Sequence, residues 1–207
     1  MLTVPDSRII IFGATIPINL LFKSHTENMY YFIYINGYPG TGKLIPDAKV
    51  FHNHRMIDPV AALVNRDHPE YNSIRISLRR YILNIITTSE ATKNASWIFT
   101  DARCTSDLGS MAAQDYRLAA ERRGVTFVPI ALSCSSEENL RRISMRAAST
   151  ISGSTTKLTD PALLLQVRQE ETMYRFGVDQ ELDLDVTELT SSEAAEKISQ
   201  HLKSLAQ

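Results

Sequence analysis

Tyr30–Lys43 reads YYFIYINGYPGTGK, and the whole chain can be read outward from it. Tyr31–Ile35 is an aromatic and β-branched run that predicts a buried strand. It passes into Gly37-x-x-x-x-Gly42-Lys43, with a further glycine at Gly40. Glycines at these points let the backbone turn its N–H groups inward around a phosphate, and Lys43 adds positive charge. A strand feeding directly into the loop is the context this spacing requires. Gly37, Tyr38, Pro39, Gly40, Thr41, Gly42 and Lys43 are therefore candidate ligands for nucleotide phosphates.

The residues after the loop depart from the usual continuation. A Ser or Thr normally follows the lysine and its hydroxyl holds Mg²⁺, with a helix beginning there. Here Lys43 is followed by Leu44-Ile45-Pro46-Asp47-Ala48, and then by Lys49-Val50-Phe51, which reads as the next strand. Neither Leu44 nor Ile45 carries a hydroxyl, and Pro46 disfavours helical geometry at Ile45. A parallel crossover with its helix takes roughly 10–12 residues or more. The first crossover helix is expected to be absent or reduced to about one turn.

With 207 residues the chain suits one domain, and a net charge of −1 gives no electrostatic case for nucleic acid or an anionic membrane. Cys104 and Cys134 lie far apart without metal-ligand spacing, which predicts reduced thiols and a cytoplasmic setting. Ile9–Phe22 (IIIFGATIPINLLF) is apolar, but short for a membrane span and interrupted by Pro17. Signal peptide and edge strand are alternatives; no small-residue cleavage site follows. The preferred reading makes residues 1–28 an extension and 29–207 the domain.

Further along, Lys49–His52 reads as a short strand, and Ile57–Asn65 and Ile74–Thr88 show helical spacing punctuated by Asp58-Pro59 and Asp67-His68-Pro69. Ala95–Thr100 and Thr126–Ser133 are strand candidates, with Pro129 weakening the second. Asp107–Arg123 is helical and stops at Gly124. Ser135-x-x-Glu138 reads as a capping box opening a helix to about Arg146. Ser149–Thr156 is a Ser/Thr/Gly-rich loop, Asp160-Pro161 starts another helix, Leu182–Val186 is a last strand, and Ser191–Leu205 a closing helix. Strands alternating with helices predict an α/β fold with a parallel sheet, whose ligands bind beyond the carboxyl ends of the strands.

Three groups of residues carry candidate chemistry, the first two at such ends. His52, Asn53 and His54, with Asp58 beyond them, are placed to bind an acceptor and to supply its base; the two histidines are also a possible metal pair, and Asn53 a plain helix cap. Asp101 closes its strand, where a carboxylate can hold Mg²⁺ through water, and Arg103 can meet a phosphate or an acceptor anion. Each has a bland alternative, a helix-entry turn. Arg141, Arg142 and Arg146 lie on the helix before the Ser/Gly loop, and Arg142 and Arg146 share a face. They read either as a solvated basic face or as clamps at the edge of a lid over about 147–160.

GYPGTGK, FHNHRMIDP, IFTDAR, the arginine helix and TKLTDP, in this order, resemble a family of small P-loop kinase-like proteins often labelled AAA-type ATPases. The resemblance spans Met29 to about His201. It is similar in architecture to shikimate, adenylate and chloramphenicol-modifying kinases. It implies a three-layer P-loop NTPase fold of nucleoside-kinase type, with a five-stranded parallel sheet and a small lid. It also implies ATP with Mg²⁺, and phosphoryl transfer to a small-molecule acceptor. Family members read GKLT and continue into a full helix, so an internal deletion after Lys43 is the expected origin of the short connection. The functional alternatives are a catalytically inactive nucleotide-binding module and an NTPase acting on a partner.

Overall fold

In the computed structural model the described residues are 30–39, 49–149 and 158–206, with backbone alone for 146–149. Strand β1 is Tyr31–Gly37, β2 Lys49–His52, β3 Trp97–Asp101, β4 Thr126–Ser133 and β5 Leu182–Asp185. Between and after them lie α1 (His54–Ala61), α2 (Tyr71–Thr88), α3 (Glu90–Lys93), α4 (Asp107–Arg123), α5 (Ser136–Ser149), α6 (Pro161–Glu170) and α7 (Ser191–Ser204). The strands form one parallel sheet in the order β2-β3-β1-β4-β5. The strand that leads into the glycine loop is thus the central one, and all seven of its residues are buried. Such a strand cannot alternate apolar with polar, because helices cover both of its faces.

The period of two splits the core in half. Ile33, Ile35, Ile98, Val128 and Ile130 face Ala194, Ile198 and Leu202 of α7. Phe32, Tyr34 and Phe99 face Leu83 and Ile86 of α2 and Ala113, Tyr116 and Ala119 of α4. Small residues on α4 let it lie close against the sheet. Gly109 is needed for a closer approach still, since a Cβ there would sit 2.2 Å from the Cys104 carbonyl oxygen.

Local chemistry sets the element ends. Ser106 caps α4 by accepting from the Gly109 N–H, and Gly124 ends it in the left-handed region at φ 72°. Asp160 caps α6 by accepting from the Ala162 N–H at 2.8 Å, with Pro161 in the first turn. Thr190 and Glu193 form a complete capping box on α7. The box expected at Ser135 is only half made. Ser135 Oγ accepts from the Glu138 N–H at 3.2 Å, but the Glu138 carboxylate turns to Arg141 and Arg142 instead.

Two expectations shift. Pro59 sits inside α1, which starts before it, at His54; buried Met56 and Val60 hold that helix to the core despite the lost N–H. Pro129 lies in β4 opposite Tyr34, but β5 pairs only from Ile130 onward. At Pro129, β4 is bordered by β1 alone, so a missing donor interrupts no second ladder. Cys104 and Cys134 are both free, and burial pushes the Cys134 thiol pKa up. Among the described residues no helix is long and apolar enough to cross a membrane. Residues 1–28, most of the 147–160 segment, and the post-loop stretch 40–48 with its expected missing helix lie outside the described residues.

Candidate active site at the carboxyl edge of the sheet

The register of the three strands on one side of the sheet aligns their ends. Asn36 of β1 stands opposite Asp101 of β3, and His52 of β2 opposite Thr100. The chain leaving β2 stays attached, because the Asn53 N–H donates to the Thr100 carbonyl at 3.0 Å. Asp101 is 2% exposed. One of its carboxylate oxygens accepts from the Ala102 N–H at 2.9 Å, and the other from Arg103 Nε at 2.8 Å. Arg103 also donates from Nη2 to Asn53 Oδ1 at 3.1 Å. Burial works against the charge on Arg103, but the neighbouring Asp101 carboxylate outweighs it and raises the guanidinium pKa. Arg103 therefore stays charged despite its burial.

Asn53, expected either to cap a helix or to meet the acceptor, occupies the position before α1 with helical φ and ψ and makes no side-chain cap bond. Its amide oxygen serves Arg103 instead. His54 Nδ1 lies 3.7 Å from Asp58 Oδ1, one turn along α1. The His52 and His54 rings are 6.3 Å apart. Among the described residues no group of three or more His, Cys, Asp or Glu side chains is placed to share a metal ion.

Of the glycine loop, Gly37, Tyr38 and Pro39 are described; Gly40, Thr41, Gly42 and Lys43 lie outside the described residues. The loop's first residues are held from two later helices. Asn139 of α5, fully buried, donates from Nδ2 to the Pro39 carbonyl at 2.7 Å and accepts from Arg168 Nη1 at 2.9 Å. Arg168 of α6 lies over the Tyr38 ring, its Cζ 4.6 Å from the centroid, and donates from Nη2 to the Cys134 carbonyl at 3.1 Å. The Tyr38 hydroxyl donates to the Glu171 carbonyl at 2.7 Å. Sequence reasoning missed Asn139 and Arg168. The available signal was a polar residue on an apolar helix face, since Ile143 and Leu164, each four residues away, are fully buried.

The arginine helix is occupied with other work. Arg141 donates to Glu138 Oε2 from Nε at 2.6 Å. Arg142 donates to Glu138 Oε1 at 2.6 Å and to the Val186 carbonyl at 2.7 Å, which ties α5 to the end of β5. The Arg146 side chain lies outside the described residues. The structure thus gathers Asn53, Asp101 and Arg103 into one bonded group next to Asn36, and sets Arg142 with Glu138 and the β5 end.

No protein-family model matches this chain, and no curated protein does. Solved structures do. A sugar kinase from Janibacter sp. HTCC2649, determined unliganded, matches with a TM-score of 0.53 at 15% identity, over 84% of this chain and 95% of that one. A candidate kinase from Chloroflexus aurantiacus matches with a TM-score of 0.54 at 15% identity, over 84% of this chain and 99% of that one. At such identity the likeness concerns the fold. With the strand order it shows a three-layer α/β fold of the nucleoside-kinase-like P-loop type.

Proposed function

We propose that this chain is an ATP-dependent phosphotransferase acting on a small-molecule acceptor. The observation that carries this reading is the bonded group Asp101–Arg103–Asn53 at the strand ends beside the Gly37 loop. A buried carboxylate and guanidinium fixed at a ligand-binding sheet edge are set in place before any substrate arrives. ATP would rest its phosphates on Gly37–Lys43, with Lys43 as the main cationic contact. The acceptor would lie against His52, Asn53, His54 and Arg103, with Asp58 orienting or deprotonating its hydroxyl.

Asp101, at the strand end, would be the carboxylate that holds Mg²⁺ through water, its oxygens already accepting from the Ala102 N–H and Arg103 Nε. The ion supplies charge neutralisation on the phosphates when bound. The protein's own part is positioning: Arg103 is held by Asp101 and Asn53, and Asn139 and Arg168 hold the start of the loop. Arg146 remains a candidate clamp for the transferring phosphate, and Arg142 would join it only by leaving Glu138 and the β5 end.

Calorimetric titration of the full chain with ATP and Mg²⁺ tests this reading. Lys43→Ala should weaken nucleotide binding about tenfold or more, as loss of a charge-assisted contact does. Equal binding by the two proteins, or none by either, would end the proposal. The missing hydroxyl at Leu44 favours a second reading, a nucleotide-binding module without turnover. That reading predicts ATP binding with no ADP release whatever acceptor is supplied.

A further inference from the structure

Helix α2 carries Tyr71, Arg75 and Arg79 at successive turns of one face. Its amino end lies toward the carboxyl edge of the sheet, because its carboxyl end leads through α3 into the start of β3. Arg79, deepest of the three, is 2% exposed and donates from Nε to Asp115 Oδ2 at 2.9 Å. Its Nη2 lies 2.8 Å from the same oxygen but is misaligned and makes no hydrogen bond. Arg80 takes the other Asp115 oxygen at 3.0 Å.

Arg75, nearer the edge, has no such arrangement. Half-buried, it sits over the Tyr71 ring at 5.6 Å and makes no hydrogen bond or ion pair among the described residues. The hydroxyl of that same tyrosine, a residue 3% exposed, is buried and unpartnered. Four guanidiniums, Arg75, Arg79, Arg80 and Arg103, share two carboxylates here, and both carboxylates are taken by the other three. Burial first, and then the charge of Arg103, push the Arg75 pKa down. Among the described residues, its cationic form has no carboxylate in ion-pair contact.

We propose that Arg75 and Tyr71 form a subsite for an oxyanion on the acceptor, a carboxylate, sulfate or phosphate group lying next to Arg103. A planar guanidinium fork matches such a group with two parallel hydrogen bonds, and a phenol adds a third donor. The acceptor is thereby an anion as well as an alcohol. This inference rests on the phosphotransferase reading of the same edge, but the two fail separately. Nucleotide titration of the unmodified chain decides the first, and anion titration decides the second.

The anion test uses the full chain at constant ionic strength, titrated with sodium sulfate in one arm and sodium acetate in the other. Arg75→Gln, Lys43→Ala and the unmodified chain are compared, and melting curves verify folding. Arg75→Gln should weaken binding of the preferred anion about tenfold or more. Preference for acetate marks a carboxylate acceptor, and preference for sulfate a tetrahedral one. Arg75→Lys, which keeps the charge and loses the fork, should recover only part of the affinity. If Arg75→Gln binds both anions like the unmodified chain, or if neither anion binds, the subsite does not exist. Loss in Lys43→Ala alone would assign the anion to the glycine loop and overturn the proposal equally.

Discussion

Asn36 clasps the Arg103 peptide with both ends of its amide. Asn36 Nδ2 donates to the Arg103 carbonyl at 2.9 Å while the Arg103 N–H donates to Asn36 Oδ1 at 2.8 Å. The same Nδ2 donates to the Tyr174 carbonyl at 3.0 Å. One buried side chain on the central strand thus fixes the backbone that carries the site arginine. Asn36→Ala leaves these buried groups without partners and should cost about 2–4 kcal/mol. Urea denaturation measures it, and an unchanged midpoint would show that the clasp is dispensable.

The buried pair of Arg79 and Asp115 behaves differently under single and double replacement. Asp115→Leu strands Arg79 in the core and should cost about 3–5 kcal/mol. Arg79→Met combined with Asp115→Leu removes both charges from an apolar surround and should cost less than the single change. A double-mutant cycle in denaturant reads the difference; additive losses would mean that the two side chains are not coupled.

Arg168→Ala removes the cation above Tyr38 and the Asn139 contact together. If loop position governs nucleotide binding, affinity should fall about 3–10-fold, the equivalent of a cation–π contact of roughly 1 kcal/mol. Melting temperature, measured in parallel, separates this from general loosening. A variant with a lowered melting temperature and intact nucleotide affinity would make the clamp purely structural.

Acid should expose the role of Glu138. Its hydrogen bond from Arg141, working against the cost of desolvation and assisted by Arg142, pulls its pKa from 4.5 to about 2. A depressed folded-state pKa stabilises the fold above the unfolded value, and that contribution is lost as pH falls from about 4.5 through about 2. After screening by solvent it amounts to about 1 kcal/mol. Glu138→Gln should flatten the stability curve across this window, in melts run from pH 5 downward, and leave other parts of the curve parallel. A Gln variant with the same acid slope would remove Glu138 as the titrating group.

The parts of the fold legible in the sequence are those whose signals are local. Asp107–Arg123 was readable because a helical stretch runs up to Gly124, the glycine that ends it at φ 72°. The strand order was not readable from spacing, because it depends on which strands find each other and not on any one segment. The start of α1 was hidden by Asp58-Pro59, a turn signal overridden by the burial of Met56 and Val60. At the site, Asp101 and Arg103 could be picked out from their place at a strand end, and the structure joins them. Asn139 and Arg168 were missed because each acts across the fold, on a partner tens of residues away, where sequence spacing carries no signal.

The placement of β3 and β4 on either side of β1 also bears on how the chain is made. The central strand is synthesised first, but its partners begin at Trp97 and Thr126. At a synthesis rate of roughly 5–20 residues per second, β1 waits on the order of ten seconds with both edges unpaired. During that interval YFIYI is an uncharged, β-prone segment of the kind that pairs with copies of itself. A ribosome making this protein therefore holds out this segment well before the strands that flank it in the sheet can cover it. Yield in a cell should depend on chaperones that shield nascent chains more than on the stability of the finished domain.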